Sequence, residues 1–295
     1  MTASVPPFMI GDCFRFEHGG RRIAALCDAS FSIDKGLFVG ADPEAINACL
    51  PDGAPPTSNN NVYLVETKDA IILIDAGAGA LFDGRAADAL EKSGIASERV
   101  DHILLTHLHL DHVGGLLREG APLFPRAEVC LAAAERDFWF DAAATDEMAK
   151  RFAPLLGGDF VATHTKVARE TLAAYDGRIR VFSGEGEIIP GVRPVPLHGH
   201  TPGHTGFLFG SGKDAFLFWG DVVHVAAVQL SLPDAGLAFD WNAEAAMASR
   251  KKVFAEAADG NWLIAGMHLP FPGVGRVRQE NGVYRFVPFA DGGNG

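Results

Sequence analysis

The feature that most constrains this chain is a cluster of His and Asp residues that follows an apolar stretch, in the segment HILLTHLHLDHVGG beginning at residue 102. Four side chains able to bind a metal ion fall within six positions: His107, His109, Asp111 and His112. Polar groups packed this tightly and partly buried are costly unless something binds them, so the pattern indicates a metal site. Alternate residues of an extended chain point to the same side, so His107 and His109 can reach one ion. Two glycines then let the chain turn, which leaves Asp111 and His112 for a second ion.

Later predicted strands lead into further potential ligands at their carboxyl ends: His200, Asp221 and His268. Strand ends of this kind gather a site at one edge of a sheet. Two cations a few ångströms apart also need an anionic ligand to offset their repulsion and ligands from elsewhere in the chain to complete each shell. Each of the three residues taken alone is equally consistent with a structural role, so on spacing alone they are candidates.

Short β-branched and aromatic runs bounded by turn residues predict strands at residues 22–27, 61–66, 70–75, 102–106, 128–131, 178–182, 192–197, 206–209, 215–219, 262–265 and 283–287. Ala-rich segments with helical periodicity predict helices at residues 81–92, 132–141, 147–155, 166–174 and 243–258. This mixture predicts an α/β or α+β fold with helices outside the sheets. The Pro-, Gly- and Asn-rich stretch 51–60 is interpreted as a surface loop, and the chain 1–295 as a single domain.

The composition argues against two classes of partner. The formal net charge is −12, whereas nonspecific nucleic-acid binding depends on clustered Lys and Arg. The one dense basic run, residues 250–252, is predicted to be a solvated helix face. No apolar run approaches the length of about 18 residues that a membrane span needs. Because residues 1–11 also lack the pattern of a signal peptide, we expect a cytoplasmic protein with no membrane partner.

The cysteines show neither a C-x-x-C pair nor close spacing to a histidine. A zinc ribbon and a redox pair are therefore not indicated, and the residues are interpreted as free thiols: Cys13, Cys27, Cys49 and Cys130.

The H-x-H-x-D-H motif, the preceding segment Leu73–Gly77 and the later His, Asp and His resemble the metallo-β-lactamase fold superfamily. The stretches HGHTPGHT, GDVVHVAAVQ, RKKVFAEAADGNWLIAGMHLPFPG and YRFVP resemble its methyl parathion hydrolase branch, and the resemblance runs from about Met9 to about Phe289. It implies an αββα sandwich, with two sheets face to face, helices on both outer faces and two metal ions at one rim.

The resemblance also implies a role for each candidate ligand. The implied ligands of the first ion are His107, His109 and His200, and those of the second are Asp111, His112 and His268. Asp221 would bridge both ions, and Asp75 would fix histidine orientations from behind, although a turn-capping role before Gly77 is its alternative. Zinc is the default metal, and cobalt, manganese or iron suit the same ligands.

Departures from other branches narrow the reaction that the resemblance implies. Diiron flavoproteins resembling this fold have Glu where His109 stands, zinc β-lactamases lack a bridging Asp at the place of Asp221, and nucleases need a basic surface. The reaction that remains is the hydrolysis of aryl esters, lactones or phosphotriesters, in which Asp111 or Asp221 would transfer the proton of the attacking water. An acyl-homoserine lactonase is the closest alternative. A β-lactamase, an oxidoreductase of the same fold and a noncatalytic metal-binding relative are more distant ones.

Further expectations concern the residues that line the substrate pocket. The aromatic residues that lie at or near positions resembling the pocket mouth of methyl parathion hydrolase are Phe82, Trp139, Phe152 and Phe271. Their alternative role is packing of helices onto the sheet. His224 is expected to face the pocket and donate a hydrogen bond to substrate, whereas His204 is interpreted as structural and His198 is left outside the site. The expected partner is a small-molecule ester, lactone or phosphotriester, and the resemblance implies a homodimer.

Overall fold

The structure is a computed structural model that describes residues 8–10, 12–50 and 54–289. Its strands are β1 Phe8–Ile10, β2 Cys13–His18, β3 Arg21–Ser32, β4 Phe38–Val39, β5 Thr57–Glu66, β6 Ile71–Ile74, β7 His102–Leu104, β8 Leu117–Arg118, β9 Ala121–Pro122, β10 Glu128–Ala132, β11 Ile179–Phe182, β12 Val192–Pro196, β13 Thr205–Phe209, β14 Phe216–Phe218, β15 Gly236–Leu237, β16 Leu263–Ala265, β17 Val274–Glu280 and β18 Val283–Pro288. Its α-helices are α1 Pro43–Ala48, α2 Ala86–Lys92, α3 Leu110–Val113, α4 Ala133–Phe140, α5 Ala142–Leu156, α6 Gly158–Ala174, α7 Ala226–Gln229 and α8 Ala243–Asp259.

Two large sheets form the centre of the molecule. The first has the strand order β1-β2-β3-β5-β6-β7-β10-β11, and the second has the order β12-β13-β14-β16-β17-β18. Strands β6, β7, β10 and β11 run parallel to one another, as do β14 and β16. Their carboxyl ends therefore open at common sheet edges, where side chains from distant parts of the chain can meet.

Alternation along the strands divides the apolar residues into three layers. On β14, Phe216 and Phe218 face the first sheet while Leu217 faces α8, and on β7 Ile103 and Leu104 divide in the same way. One apolar cluster lies between the first sheet and helices α2, α4, α5 and α6, one lies between the sheets, and one lies between the second sheet and α8. The order helix, sheet, sheet, helix confirms the predicted αββα sandwich.

Most predicted elements occur within a few residues of their expected bounds. The predicted loop 51–60 is partly wrong, because β5 begins at Thr57 and pairs with the end of β3; residues 51–53 lie outside the described residues. The predicted helix 81–92 is regular only from Ala86. Strands β2 and β17 were not predicted, although Phe14 and Phe16 of β2 alternate with Arg15 and Glu17 as they do in a half-buried strand.

The basic run 250–252 divides between the core and the surface, so the prediction of a solvated face is wrong for Arg250. Lys251 and Lys252 are exposed, whereas Arg250 is 1% exposed. Its guanidinium donates to the carbonyls of Val222, Pro233 and Ala235 at 2.7–2.9 Å. The side chain thereby ties α8 to the chain that follows β14.

Among the described residues, no helix has both the length and the apolar character required to cross a lipid bilayer.

The contacts of Arg250 predict a difference between neighbouring positions of α8. Arg250→Met should lower the free energy of unfolding by roughly 3 kcal/mol, because three buried carbonyls lose a charged donor. Lys252→Met removes the same charge from a side chain that is 69% exposed and should change stability by less than about 0.5 kcal/mol. Urea unfolding of both variants measures the difference, and equal losses would contradict the structural role of Arg250.

Candidate metal centre

The candidate ligands meet at the edge where the two sheets open. The motif that follows β7 lies on the first sheet, while residues that follow β12, β14 and β16 approach from the second. Their donor atoms form groups within 4.8 Å of one another, and the candidates brought together in this way are His107, His109, Asp111, His112, His200, Asp221 and His268.

A first group of donor atoms comes from three histidines. His109 Nδ1 lies 2.9 Å from His107 Nε2 and 2.9 Å from His200 Nε2. Asp221 Oδ2 closes the group at 3.5 Å from His107 Nε2 and 3.2 Å from His200 Nε2. Nitrogens bound tetrahedrally to one zinc ion lie roughly 3.3 Å apart, so the spacing of this group suits a shared cation.

A second group lies on the other side of the same carboxylate. Asp111 Oδ2 lies 3.6 Å from His112 Nε2 and 3.5 Å from His268 Nε2. Asp221 Oδ1 is 3.2 Å from His112 Nε2, and Asp221 Oδ2 is 3.1 Å from His268 Nε2. Asp221 therefore belongs to both groups, in the position that a bridging ligand requires.

Two buried atoms test whether these residues suit a cation. His112 Nε2 and Asp221 Oδ1 are inaccessible to solvent, and neither makes a hydrogen bond within the described part of the chain. Buried polar atoms without a partner cost about 1–3 kcal/mol each. Both atoms point into the second group, where a divalent cation would satisfy them, so the residues fit a metal ion.

Hydrogen bonds behind the histidines fix which nitrogen faces the centre. The Nδ1 atom of His112 lies 2.7 Å from Asp75 Oδ2, that of His200 lies 2.8 Å from Asp240 Oδ1, and that of His268 lies 2.6 Å from the carbonyl of Asn59. These oxygens accept, so each Nδ1 carries a proton, and in the neutral ring that binds a metal each Nε2 presents a lone pair to the centre.

Asp75 occupies the orienting place that the resemblance implied. It follows β6 with a φ of 55°, in the left-handed region that aspartate tolerates better than most residues. Its carboxylate also accepts from the backbone N–H and hydroxyl of Thr106, so it positions the start of the motif together with His112.

The centre favours the ionised form of Asp221. Burial alone would raise the pKa of this carboxyl, but the neighbouring imidazoles of His112 and His268 hold it well below its usual range. An anionic oxygen pair at this position is the ligand that two adjacent cations need.

The structure contains three buried carboxylates that the sequence analysis missed. Asp240 orients His200, and its other oxygen accepts from the backbone N–H of Leu237. Glu135 on α4 accepts from the backbone N–H of Leu108 and from Thr201, so it joins the motif to the turn after His200. Asp28 accepts from two backbone N–H groups, those of Ala78 and Ala86, and from Asn60. The sequence gives no local signal for these contacts.

His204 has the structural role that was expected. Its Nε2 accepts from the backbone N–H of Asp221 at 3.0 Å, while its Nδ1 donates to the carbonyl of Leu197 at 2.9 Å. Burial lowers the pKa of His204 to about 3, which keeps Nε2 free to accept. Gly220 has a φ of 58°, and a Cβ there would lie 2.3 Å from this nitrogen, so the contact requires glycine. His198 is exposed and lies outside the site.

A cavity of about 430 Å³ opens above the candidate centre. The metal-ligand candidates His109, Asp111, His200, Asp221 and His268 lie along its lining. Its walls are mainly apolar and come from Phe31, Leu37, Phe82, Trp139, Met148, Phe152, Leu156, Phe160, Val161 and Phe239. Such a cavity suits a small molecule whose apolar part lies against the walls while a polar group reaches the centre.

The predicted aromatic residues are distributed unevenly around this cavity. Phe82 is 42% exposed at the mouth and packs edge-to-face on Phe160. Phe152 lies in the wall, and Trp139 is fully buried with its Nε1 donating to Glu135. Phe271 does not line the cavity, which corrects its placement: its ring packs against the apolar cluster between the sheets.

His224 lines the cavity, but its Nε2 is directed toward Asp221 Oδ2 at 3.2 Å. Its Nδ1 is buried and has no hydrogen-bond partner in the described residues. A donor nitrogen facing the substrate, as expected from the sequence, is therefore absent from this arrangement of the described residues.

The sequence matches the family model of the metallo-beta-lactamase superfamily over residues 55–268, which is well over half of the chain. This chain belongs to the metallo-beta-lactamase superfamily. The matched segment includes all the candidate ligands. The sequence is also similar to the uncharacterised protein YobT of Bacillus subtilis, with 32% identity over 197 residues that cover 64% of this chain and 75% of YobT.

Two solved structures share the architecture over nearly the whole chain. The hydrolase AbOPH of the beta lactamase superfamily has a TM-score of 0.87 and 28% identity, covering 96% of this chain and 99% of AbOPH. AidC, described as a dizinc quorum-quenching lactonase in complex with a product, has a TM-score of 0.84 and covers 94% of this chain and 97% of its own. At 23% identity, the likeness to AidC shows the fold alone. The family resemblance is confirmed, and the methyl parathion hydrolase branch stays a prediction.

The hydrogen bond between Asp240 and His200 generates a prediction about metal affinity. Asp240→Ala should weaken metal binding about 10- to 100-fold, because His200 loses the acceptor that holds its orientation and tautomer. Asp234→Ala, at an exposed position just before β15, should leave the affinity unchanged. Titration of each metal-loaded variant against a chelator measures the affinity, and equal values for Asp240→Ala and the unmodified protein would disprove the orienting role.

Proposed function

We propose that the protein is a binuclear metal-dependent hydrolase that cleaves the ester bond of lactones and aryl esters, with aryl phosphotriesters as a further substrate class. The observation that carries the proposal is the pair of donor groups that share Asp221 at the base of an apolar cavity. Sequence similarity to an N-acyl homoserine lactonase of Bacillus sp., 24% identical over 209 residues that cover 62% of this chain and 72% of the lactonase, supports the choice of substrate class.

The residues that would hold the first ion are His107, His109 and His200, those that would hold the second are Asp111, His112 and His268, and Asp221 would be shared. When bound, zinc or a similar divalent ion supplies Lewis acidity, which lowers the pKa of water toward about 7 and polarises the oxygen of an ester carbonyl or phosphoryl group. His5Asp2 ligation also suits cobalt, manganese and iron.

The two carboxylates of the centre have different surroundings. The side chain of Asp221 is 2% exposed and its two oxygens face imidazole nitrogens, so both oxygens would serve as metal ligands. The side chain of Asp111 is 30% exposed and lines the cavity. We therefore assign proton transfer to the Asp111 carboxylate, which can accept a proton from the attacking water and pass it to the departing oxygen.

The cavity walls would bind the substrate and take no part in the chemical step. Phe82, Phe152 and Phe160 present aromatic surface to the space above the centre, which suits a flat or extended apolar leaving or acyl group. The deep position of Trp139 closes the wall beside His109 and excludes water there.

A substrate panel tests the proposed function. The metal-loaded protein should hydrolyse lactones or aryl esters, because both place an acceptor oxygen at the centre and an apolar group against the walls. The panel should contain acyl-homoserine lactones, p-nitrophenyl esters, paraoxon and β-lactams, with a sample treated with chelator as the control. Turnover of β-lactams alone, or activity that survives metal removal, would contradict the proposal.

Phe82 provides a test of the cavity that leaves the core intact. Phe82→Ala should lower kcat/KM for aryl esters about fivefold, because loss of one aromatic contact costs about 1 kcal/mol. Phe140→Ala removes a ring that is 51% exposed and outside the cavity, so it should have less than about a twofold effect. Steady-state kinetics on both variants makes the comparison, and equal effects would remove Phe82 from the binding surface.

A further inference from the structure

The otherwise apolar helical wall of the cavity contains one histidine that belongs to neither donor group. His164 lies on α6, among cavity residues such as Phe152, Phe160 and Val161. Its ring packs edge-to-face against His109, with 5.6 Å between ring centroids, and lies at a tilt against Phe160, with 4.3 Å between centroids. A polar side chain is thus placed one ring away from the candidate metal centre.

Hydrogen bonding fixes the orientation and tautomer of this ring. His164 Nδ1 lies 3.1 Å from the carbonyl oxygen of Phe160, one helical turn earlier. A carbonyl only accepts, so Nδ1 carries the proton, and Nε2 of the neutral ring is an acceptor. Nε2 has no hydrogen-bond partner in the described residues and is not sealed from solvent.

Several other polar side chains of the cavity wall already make polar contacts. The hydroxyl of Ser30 donates to the carbonyl of Ser58, and Asn60 Nδ2 donates to Asp28 and to the carbonyl of Asp111. His224 is directed toward Asp221. The Nε2 atom of His164 is therefore an available acceptor close to the place where a substrate carbonyl would react.

We propose that His164 Nε2 accepts a hydrogen bond from an N–H group of the substrate, and so selects lactones or esters that carry a secondary amide beside the reacting carbonyl. This inference rests on the proposed function. The rings of His164 and His109 lie 5.6 Å apart, measured between centroids, so an N–H that reaches Nε2 while the carbonyl is at the centre belongs to a group close to that carbonyl. A simple aryl ester or phosphotriester has no such donor and leaves Nε2 unpaired.

The selection follows from the cost of leaving a polar group unpaired. A site built to pair with a substrate N–H discriminates strongly against an analogue without it, because water is displaced from Nε2 and nothing replaces it. The acceptor role belongs to the Nε2 lone pair, so glutamine, whose side-chain oxygen also accepts, is the conservative replacement and leucine is the apolar one.

The test compares two matched substrates, an α-acylamino lactone with a free amide N–H and the same lactone with an N-methylated amide. The unmodified protein should prefer the N–H lactone by at least about tenfold in kcat/KM. His164→Leu should reduce this preference ratio about tenfold, and His164→Gln should restore part of it. The ratio isolates the hydrogen bond, because a general effect on folding or metal content lowers both rates together.

The outcomes separate the two proposals. If the unmodified protein cleaves neither lactone nor any aryl ester, the proposed function is wrong. If it cleaves the lactones but the preference ratio is the same in the unmodified protein and in His164→Leu, the assignment to His164 is wrong while the proposed function stands.

Discussion

The carboxylate of Asp221 lies within 3.5 Å of five imidazole nitrogens, and most of the site is organised around it. Two sheets contribute to this contact, because the motif after β7 comes from the first sheet and Asp221 follows β14 of the second. Packing of the sheets therefore brings the ligands together. The backbone of Asp221 is held separately by His204, and the chain after it is tied to α8 by Arg250.

Buried hydrogen-bond acceptors behind the centre fix the orientation and tautomer of the candidate ligand histidines. Asp75, Asp240 and the carbonyl of Asn59 each hold one Nδ1 proton, so three imidazoles present Nε2 to the centre in a fixed tautomer. Glu135 performs a related task on the backbone, since it joins the loop of the motif to the turn after His200. Such groups determine the geometry of the ligands without contacting an ion themselves.

The sequence predicted the parts of the site that depend on local spacing. Histidines two residues apart at the end of an apolar strand can be recognised from the strand period, and family resemblance supplied the distant ligands. Asp28, Glu135 and Asp240 were not predicted, because a carboxylate is read as exposed in a strand, a helix or a loop alike unless its tertiary contacts are known. Phe271 was misplaced for the same reason, since the sequence could not show that its ring packs between the sheets. The role of Arg250 depended on carbonyls from separate loops.

Anomalous diffraction from crystals grown with zinc, measured on both sides of the zinc absorption edge, tests the central claim that Asp221 joins two metal ions. The unmodified protein should show two anomalous peaks, one among His107, His109 and His200 and one among Asp111, His112 and His268, with the Asp221 carboxylate between them. Asp221→Ala should lose at least one of the two peaks. A single peak in the unmodified protein, or two full peaks in Asp221→Ala, would contradict this account.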